Sequence, residues 1–175
     1  RAGVEHEVDV IIYGTGFKDT DTPIGDLVRG RDGRTLAEAW EGSMQAHLGT
    51  TVNGYPNFFI MVGPNTGLGH NSIVFMIEAQ IAHIAGALRH LRQTGAATLE
   101  PTAEAQAAFV RKIDREMQGT VWTSGGCASW YRDATGRVST LWPGFTYPFK
   151  RRLQRFDPSE YDVRAPRRAP EPVAA

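Results

Sequence analysis

A glycine-rich loop that empties into a long amphipathic helix constrains this chain more than any other feature. Gly63-Pro64-Asn65-Thr66-Gly67-Leu68-Gly69-His70-Asn71-Ser72 follows the apolar run Phe58-Phe59-Ile60-Met61-Val62. After it, Ile73, Ile77, Ile81, Ile84, Leu88 and Leu91 recur at spacings of four and three. The recurrence predicts a helix from residue 71 or 72 to about 93, with this stripe facing a core. Thr94-Gly95 ends it, and Arg89, His90 and Arg92 sit in its last turns, where cations suit the dipole. The run at 58–62, introduced by Asn53-Gly54-Tyr55-Pro56-Asn57, reads as a strand. Val8-Asp9-Val10-Ile11-Ile12-Tyr13, stopped by Gly14, reads as another, buried on both faces as in parallel sheets. Strand, loop and helix in this order predict an α/β chain with an incomplete parallel sheet and long helices.

Elsewhere the pattern is ordinary. Leu36 to Trp40 makes one or two helical turns after the turn Asp32-Gly33. Thr102 caps a second helix carrying Phe109, Ile113 and Met117 on one face. Trp122 to Trp142 reads as an aromatic-rich loop and a hairpin or irregular strand around the turn Asp133-Ala134-Thr135-Gly136. Phe145 to Phe156 holds a short helix with Pro148 in its first turn. Residues 1–163 form the folded portion, and the Ala/Pro/Arg-rich string 164–175 is expected to be a disordered tail.

With 41% hydrophobic and 22% charged residues, the 175-residue chain has enough apolar surface for a core. Nineteen Lys and Arg balance nineteen Asp and Glu, which argues against the basic footprint of a nucleic-acid partner. The lone Cys127 allows neither an internal disulfide nor a multi-thiol zinc site. Apolar runs are too short to span a bilayer, so the expectation is a cytoplasmic protein with no membrane partner. The chain begins with Arg1 and runs almost at once into strand-like sequence, which predicts a piece of a longer polypeptide.

Two loops could carry chemistry. Gly14-Thr15-Gly16 follows a strand, where open α/β sheets place ligands. It has Asp19 where the dinucleotide fingerprint needs its third glycine, and a simple tight turn is the alternative reading. The 63–72 loop delivers free N–H groups and the positive end of a helix dipole, suited to an anion or an electron-rich oxygen. Its alternative is a connector capped by Asn71 or Ser72. His6, His47, His70, His83 and His90 make no metal constellation, and His83 and His90 read as solvated helix-face residues. No catalytic residue is identified.

With both loops in view, the chain resembles the C-terminal part of the class B flavoprotein monooxygenases, the flavin-containing and Baeyer–Villiger group. Three segments carry the resemblance: Asp9 to Phe17, with Gly14 where alanine is commoner; Tyr55 to Ser72; and Gly126-Cys-Ala-Ser-Trp-Tyr131 with Gly136-Arg137 and Leu141-Trp-Pro-Gly144. The resemblance implies a two-dinucleotide-binding-domain flavoprotein. Its full-length parent would use FAD and NADPH to insert one oxygen atom of O2 into a ketone or a soft nitrogen or sulfur centre in an amine or sulfide. Gly14, Thr15, Gly16, Gly63 and Pro64 would let backbone approach the flavin, with Asn71 and Ser72 at the helix end facing its pyrimidine edge. Glycines 67 and 69 would serve close approach to flavin and not packing. The family's N-terminal GxGxxG motifs are absent, so the isolated chain is expected to be inactive and to await the missing N-terminal part. An amine N-hydroxylase fragment is the enzymatic alternative, and a non-enzymatic binding module the other if the gene encodes 175 residues.

Overall fold

The computed structural model describes residues 3, 5–14, 20, 22–124 and 131–166. In chain order these form α1 (Ile24–Leu27), α2 (Leu36–Trp40), α3 (Ile73–Thr94), β1 (Thr98–Pro101), α4 (Ala103–Met117), α5 (Val121–Ser124), α6 (Thr146–Leu153), a 3-10 turn at Pro158–Glu160, and β2 (Tyr161–Arg164). Residues 167–175 of the expected tail lie outside the described residues.

The helix boundaries follow from local chemistry. Thr35 and Glu38 form a capping box on α2: the Glu38 N–H donates to Thr35 Oγ1 at 3.2 Å, and the Thr35 N–H to Glu38 Oε2 at 2.6 Å. Thr102 Oγ1 accepts from the Ala105 N–H at 3.1 Å and starts α4. Gly95, at φ 66°, closes α3 in the left-handed region. Pro148 is the third residue of α6, where its missing N–H costs no intrahelical bond.

The isoleucine stripe coincides only in part with the buried face of α3. Ile73 and Leu91 pack against apolar clusters, but Met76, Ala79, Gln80, His83 and Ala87 are the buried residues, whereas Ile81 and Leu88 are about half exposed. A periodic pattern reveals that a helix has an apolar side, but which side is covered depends on its neighbours. Here α6 and the paired strands β1 and β2 pack on the Met76–Ala87 side, where Ala79 and Ala87 permit close approach. His83, expected to be solvated, is fully buried, and its Nε2 lies 2.7 Å from the Tyr161 hydroxyl.

The α/β expectation holds as a mixed helix–strand chain with a small sheet. Among the described residues the one sheet is two-stranded and antiparallel, pairing Thr98 with Arg164, Leu99 with Val163, Glu100 with Asp162 and Pro101 with Tyr161. The expected parallel strands are not formed. Residues 8–13 are irregular and exposed, with Ile12 at 88%. Residues 58–62 make only the isolated bridge of Phe59 to Thr51. A central parallel strand requires hydrogen-bonding neighbours on both sides, and no described segment supplies them. Among the described residues the apolar side chains gather in four clusters, the largest joining Leu48, Met76, Ala79, Ile113, Trp142, Phe149 and Leu153.

Candidate functional site

The loop between the 58–62 run and α3 is held from three directions. From α3, the buried Gln80 accepts the Val62 N–H at 3.0 Å and donates to the Gly49 carbonyl at 2.9 Å. From residues 47–50, Gly49 sits at φ +61°, where an added Cβ would come within 2.2 Å of Thr66 Cγ2 and 2.8 Å of the Pro64 carbonyl. From the C-terminal side, the Gly67 N–H donates to the Thr140 carbonyl and the Trp142 N–H to the Gly67 carbonyl, both at 2.8 Å.

Asn65 is the pivot of this arrangement. It adopts a left-handed backbone at φ 57° and is 3% exposed. Its Nδ2 donates to the carbonyls of Val138 and Leu141, at 2.9 and 3.0 Å. Its Oδ1 accepts from Arg137 Nη2 at 2.7 Å, and the same guanidinium donates to Asp114 Oδ1 of α4 and to the Met44 carbonyl, at 2.7 and 2.8 Å. Asp133, whose Oδ1 accepts the Arg137 N–H at 3.1 Å, holds the turn that presents Arg137. Sequence reasoning singled out 63–72 and 136–144 separately, and the structure joins them through Asn65 and Arg137. The one available signal for Asn65 was an asparagine in a glycine-rich loop, one of the few non-glycine residue types that readily adopt positive φ.

Of the predicted site residues, Gly63 and Pro64 line a cleft of about 390 Å³ together with Ile60, Val62, Gly67, Trp40 and Met44. The lining is largely apolar, as the wall of a flat ring system requires. Asn71 and Ser72 lie at the start of α3. Asn71 Nδ2 donates to Thr146 Oγ1 at 2.8 Å, and its Oδ1 accepts the Ser72 N–H at 2.7 Å. Ser72 is the N-cap by backbone position, but no side chain caps α3, which leaves first-turn N–H groups for another acceptor. Gly14 is exposed and is not brought to this cleft, while Thr15 and Gly16 lie outside the described residues.

Glycines 67 and 69 have a packing role that contradicts the expectation of close approach to a ligand alone. A Cβ on Gly67 would lie 2.9 Å from the Thr140 carbonyl, and one on Gly69 3.0 Å from Trp122 Cζ2. Gly67→Val should therefore lower the stability of flavin-free protein by about 1–3 kcal/mol, the usual cost of forcing atoms into a packed site. Thermal unfolding without flavin checks this, and an unchanged midpoint would return the residue to a ligand-only role.

No protein-family model matches the chain. It is 48% identical over 174 residues to a Baeyer-Villiger monooxygenase of Streptomyces coelicolor, covering 99% of this chain and 33% of that protein. It is 46% identical over 162 residues to a Baeyer-Villiger monooxygenase of Pseudomonas aeruginosa, covering 92% of this chain and 31% of the relative. Among solved structures, the closed form of cyclohexanone monooxygenase superposes with a TM-score of 0.75 at 25% identity, over 94% of this chain and 32% of that one. A steroid monooxygenase bound to NADP gives a TM-score of 0.67 at 26% identity, over 78% of this chain and 26% of the other. In sequence and in fold the chain is similar to part of these Baeyer-Villiger monooxygenases, and it spans about a third of the length of the relatives it matches.

Proposed function

We propose that this chain is the C-terminal portion of an FAD- and NADPH-dependent enzyme that inserts one oxygen atom of O2 into a ketone. The observation that carries the reading is the anchored loop at 63–69, which lines an apolar cleft and leads to the uncapped N-terminus of α3. The Baeyer-Villiger name of the relatives favours a ketone over an amine or sulfide. Residues 1–163 would be the part belonging to the two-dinucleotide-binding-domain fold, with 164–175 as a tail, although β2 carries the packed region to Arg164.

In this reading Gly63 and Pro64 let backbone lie flat against the flavin ring. Asn71 and Ser72 hold the entry to α3, whose first-turn N–H groups stabilise negative charge by about 0.3–1 kcal/mol. Gly14, Thr15 and Gly16 would approach the same cofactor from the 8–14 segment. FAD, when bound, supplies the redox and oxygen chemistry. The residues present fit part of the ring, but the chain has no glycine-rich cradle for the pyrophosphate. The exposed apolar face of α3 at Val74, Ile81 and Leu88, and the exposed run at 8–13, would be covered by the part of the enzyme that this chain lacks. The lone cysteine of the sequence favours a cytoplasmic setting in this reading.

A domain exchange tests the proposal. Purified alone, the chain should be colourless and its NADPH oxidation equal to buffer. Substituted for the matching third of the Streptomyces relative, it should restore a yellow protein whose NADPH consumption rises with added ketone. A folded, colourless chimera, or a yellow one indifferent to ketone, would overturn it.

A further inference from the structure

The long helix α3 has a second packing surface. Its core side, from Met76 to Ala87, is taken by α6 and the paired strands. At 3.6 residues per turn the opposite side is set by Val74, Glu78, Ile81, Ala85, Leu88 and Arg92, which follow one another at spacings of four and three. Val74 is 56%, Ile81 52% and Leu88 51% exposed, Ala85 is half-buried, and Glu78 and Arg92 are exposed. Ile77 and Ile84, also half-buried, border the stripe. At 1.5 Å of rise per residue it runs about 27 Å along the helix. Because the core side already holds α3 in helical form, packing on this side costs no helix nucleation.

The stripe is complementary to itself in one orientation. Two copies of α3 laid antiparallel and crossing at Ala85 bring Ile81 beside the partner's Leu88 and Glu78 beside the partner's Arg92, because both pairs of positions are centred on Ala85 to within half a residue. The two-fold axis makes each of these pairs occur twice. Laid parallel, the same stripe would set glutamate against glutamate at position 78 and arginine against arginine at position 92. Among the described residues neither Glu78 nor Arg92 has an ion-pair partner. Ala85 is small enough to let two helix axes approach to about 8–10 Å, and alternation of four and three is the repeat of helices that cross at about 20°.

We propose that the chain on its own forms a symmetric dimer through this face of α3, helix antiparallel to helix across Ala85. In the enzyme of the proposed reading the same face is covered by the part this chain lacks, so copies pair only where that part is absent. The pairing itself does not rest on the oxygenation reading, and the domain exchange and the association state test the two separately.

Sedimentation equilibrium of the 175-residue chain should show a reversible dimer at micromolar concentration. Ile81→Glu puts a charge in the middle of the seam, leaves the core side untouched, and should give a monomer with unchanged circular dichroism. Glu78→Arg or Arg92→Glu alone should weaken the dimer about tenfold, because two attractive pairs become repulsive. The double variant Glu78→Arg/Arg92→Glu should recover the parent's affinity, which a parallel pair would not do. Should Ile81→Glu fail to fold, the charge-reversal series still decides. A monomeric parent, or a double variant that stays weak, would overturn the proposal. So would association that survives Ile81→Glu in folded protein, which would move the contact to the exposed apolar run at 8–13.

Discussion

Arg137→Ala should destabilise the chain by about 2–6 kcal/mol, because two buried acceptors lose their donor. The ion pair with Asp114 is not the main reason. Asp114 is 42% exposed, and a pair half open to solvent contributes little. The cost comes from Asn65 Oδ1 and the Met44 carbonyl, which lose the guanidinium donors they now receive. A buried acceptor left unsatisfied costs about 1–3 kcal/mol. Arg137→Lys should recover only part of this, since an ammonium cannot reach three acceptors with a planar fork. Urea unfolding of the three proteins measures the series, and a change below about 0.5 kcal/mol in Arg137→Ala would mean that Asn65 holds the loop without it. In the domain-exchange chimera, the same substitution should reduce FAD retention, because Arg137 ties the loop at Gly63–Gly67 to α4.

The second large effect is with pH. Burial pushes His83 down to about 4 from 6.5, helped by the positive potential of His47 and Arg152 and opposed by Glu160. His47 is lowered in the same direction, again chiefly by burial. Between about pH 6.5 and pH 4 the unfolded chain binds a proton at His83 that the folded chain refuses. Stability from this residue is thus full above the unfolded value and is lost as pH falls toward the folded one. At about 1.4 kcal/mol per unit, the loss is on the order of 3 kcal/mol by pH 4. His83→Gln keeps a polar partner for the Tyr161 hydroxyl and removes the titration. Its stability should fall less than that of the parent between pH 7 and pH 4.5, and parallel pH profiles would remove His83 as the cause.

Helix positions were readable because their signals are local. Thr102 and Gly95 each act within four residues, so the start of α4 and the end of α3 were legible from their caps, whereas the Thr35–Glu38 box that starts α2 went unread although it is as local. The long helix and the glycine loop before it were legible for the same reason, as was the resemblance carried by residues 55–72 and 126–144. Strands were another matter. Segments 8–13 and 58–62 have strand composition, yet no described strand pairs with either, and 58–62 bonds instead to loop and helix groups such as Thr50 and Gln80. The strands that formed, β1 and β2, are short, polar in part and about sixty positions apart, and nothing local announces their pairing.

The same distinction governs the cleft at Gly63 and the buried histidines. Sequence determined that Gly63 and Pro64 precede a helix start, but only tertiary packing decided that Asn65 and Arg137 would clamp the loop. Sequence determined that His47 and His83 exist, but the fold decided that both would be buried, one against Glu160 and the other against Tyr161. Local conformation is set by dihedral preference and bonds spanning a few residues, which the order of residues encodes directly. Burial, and with it the protonation of a histidine or the covering of one helix face, depends on which distant segments come to pack against it.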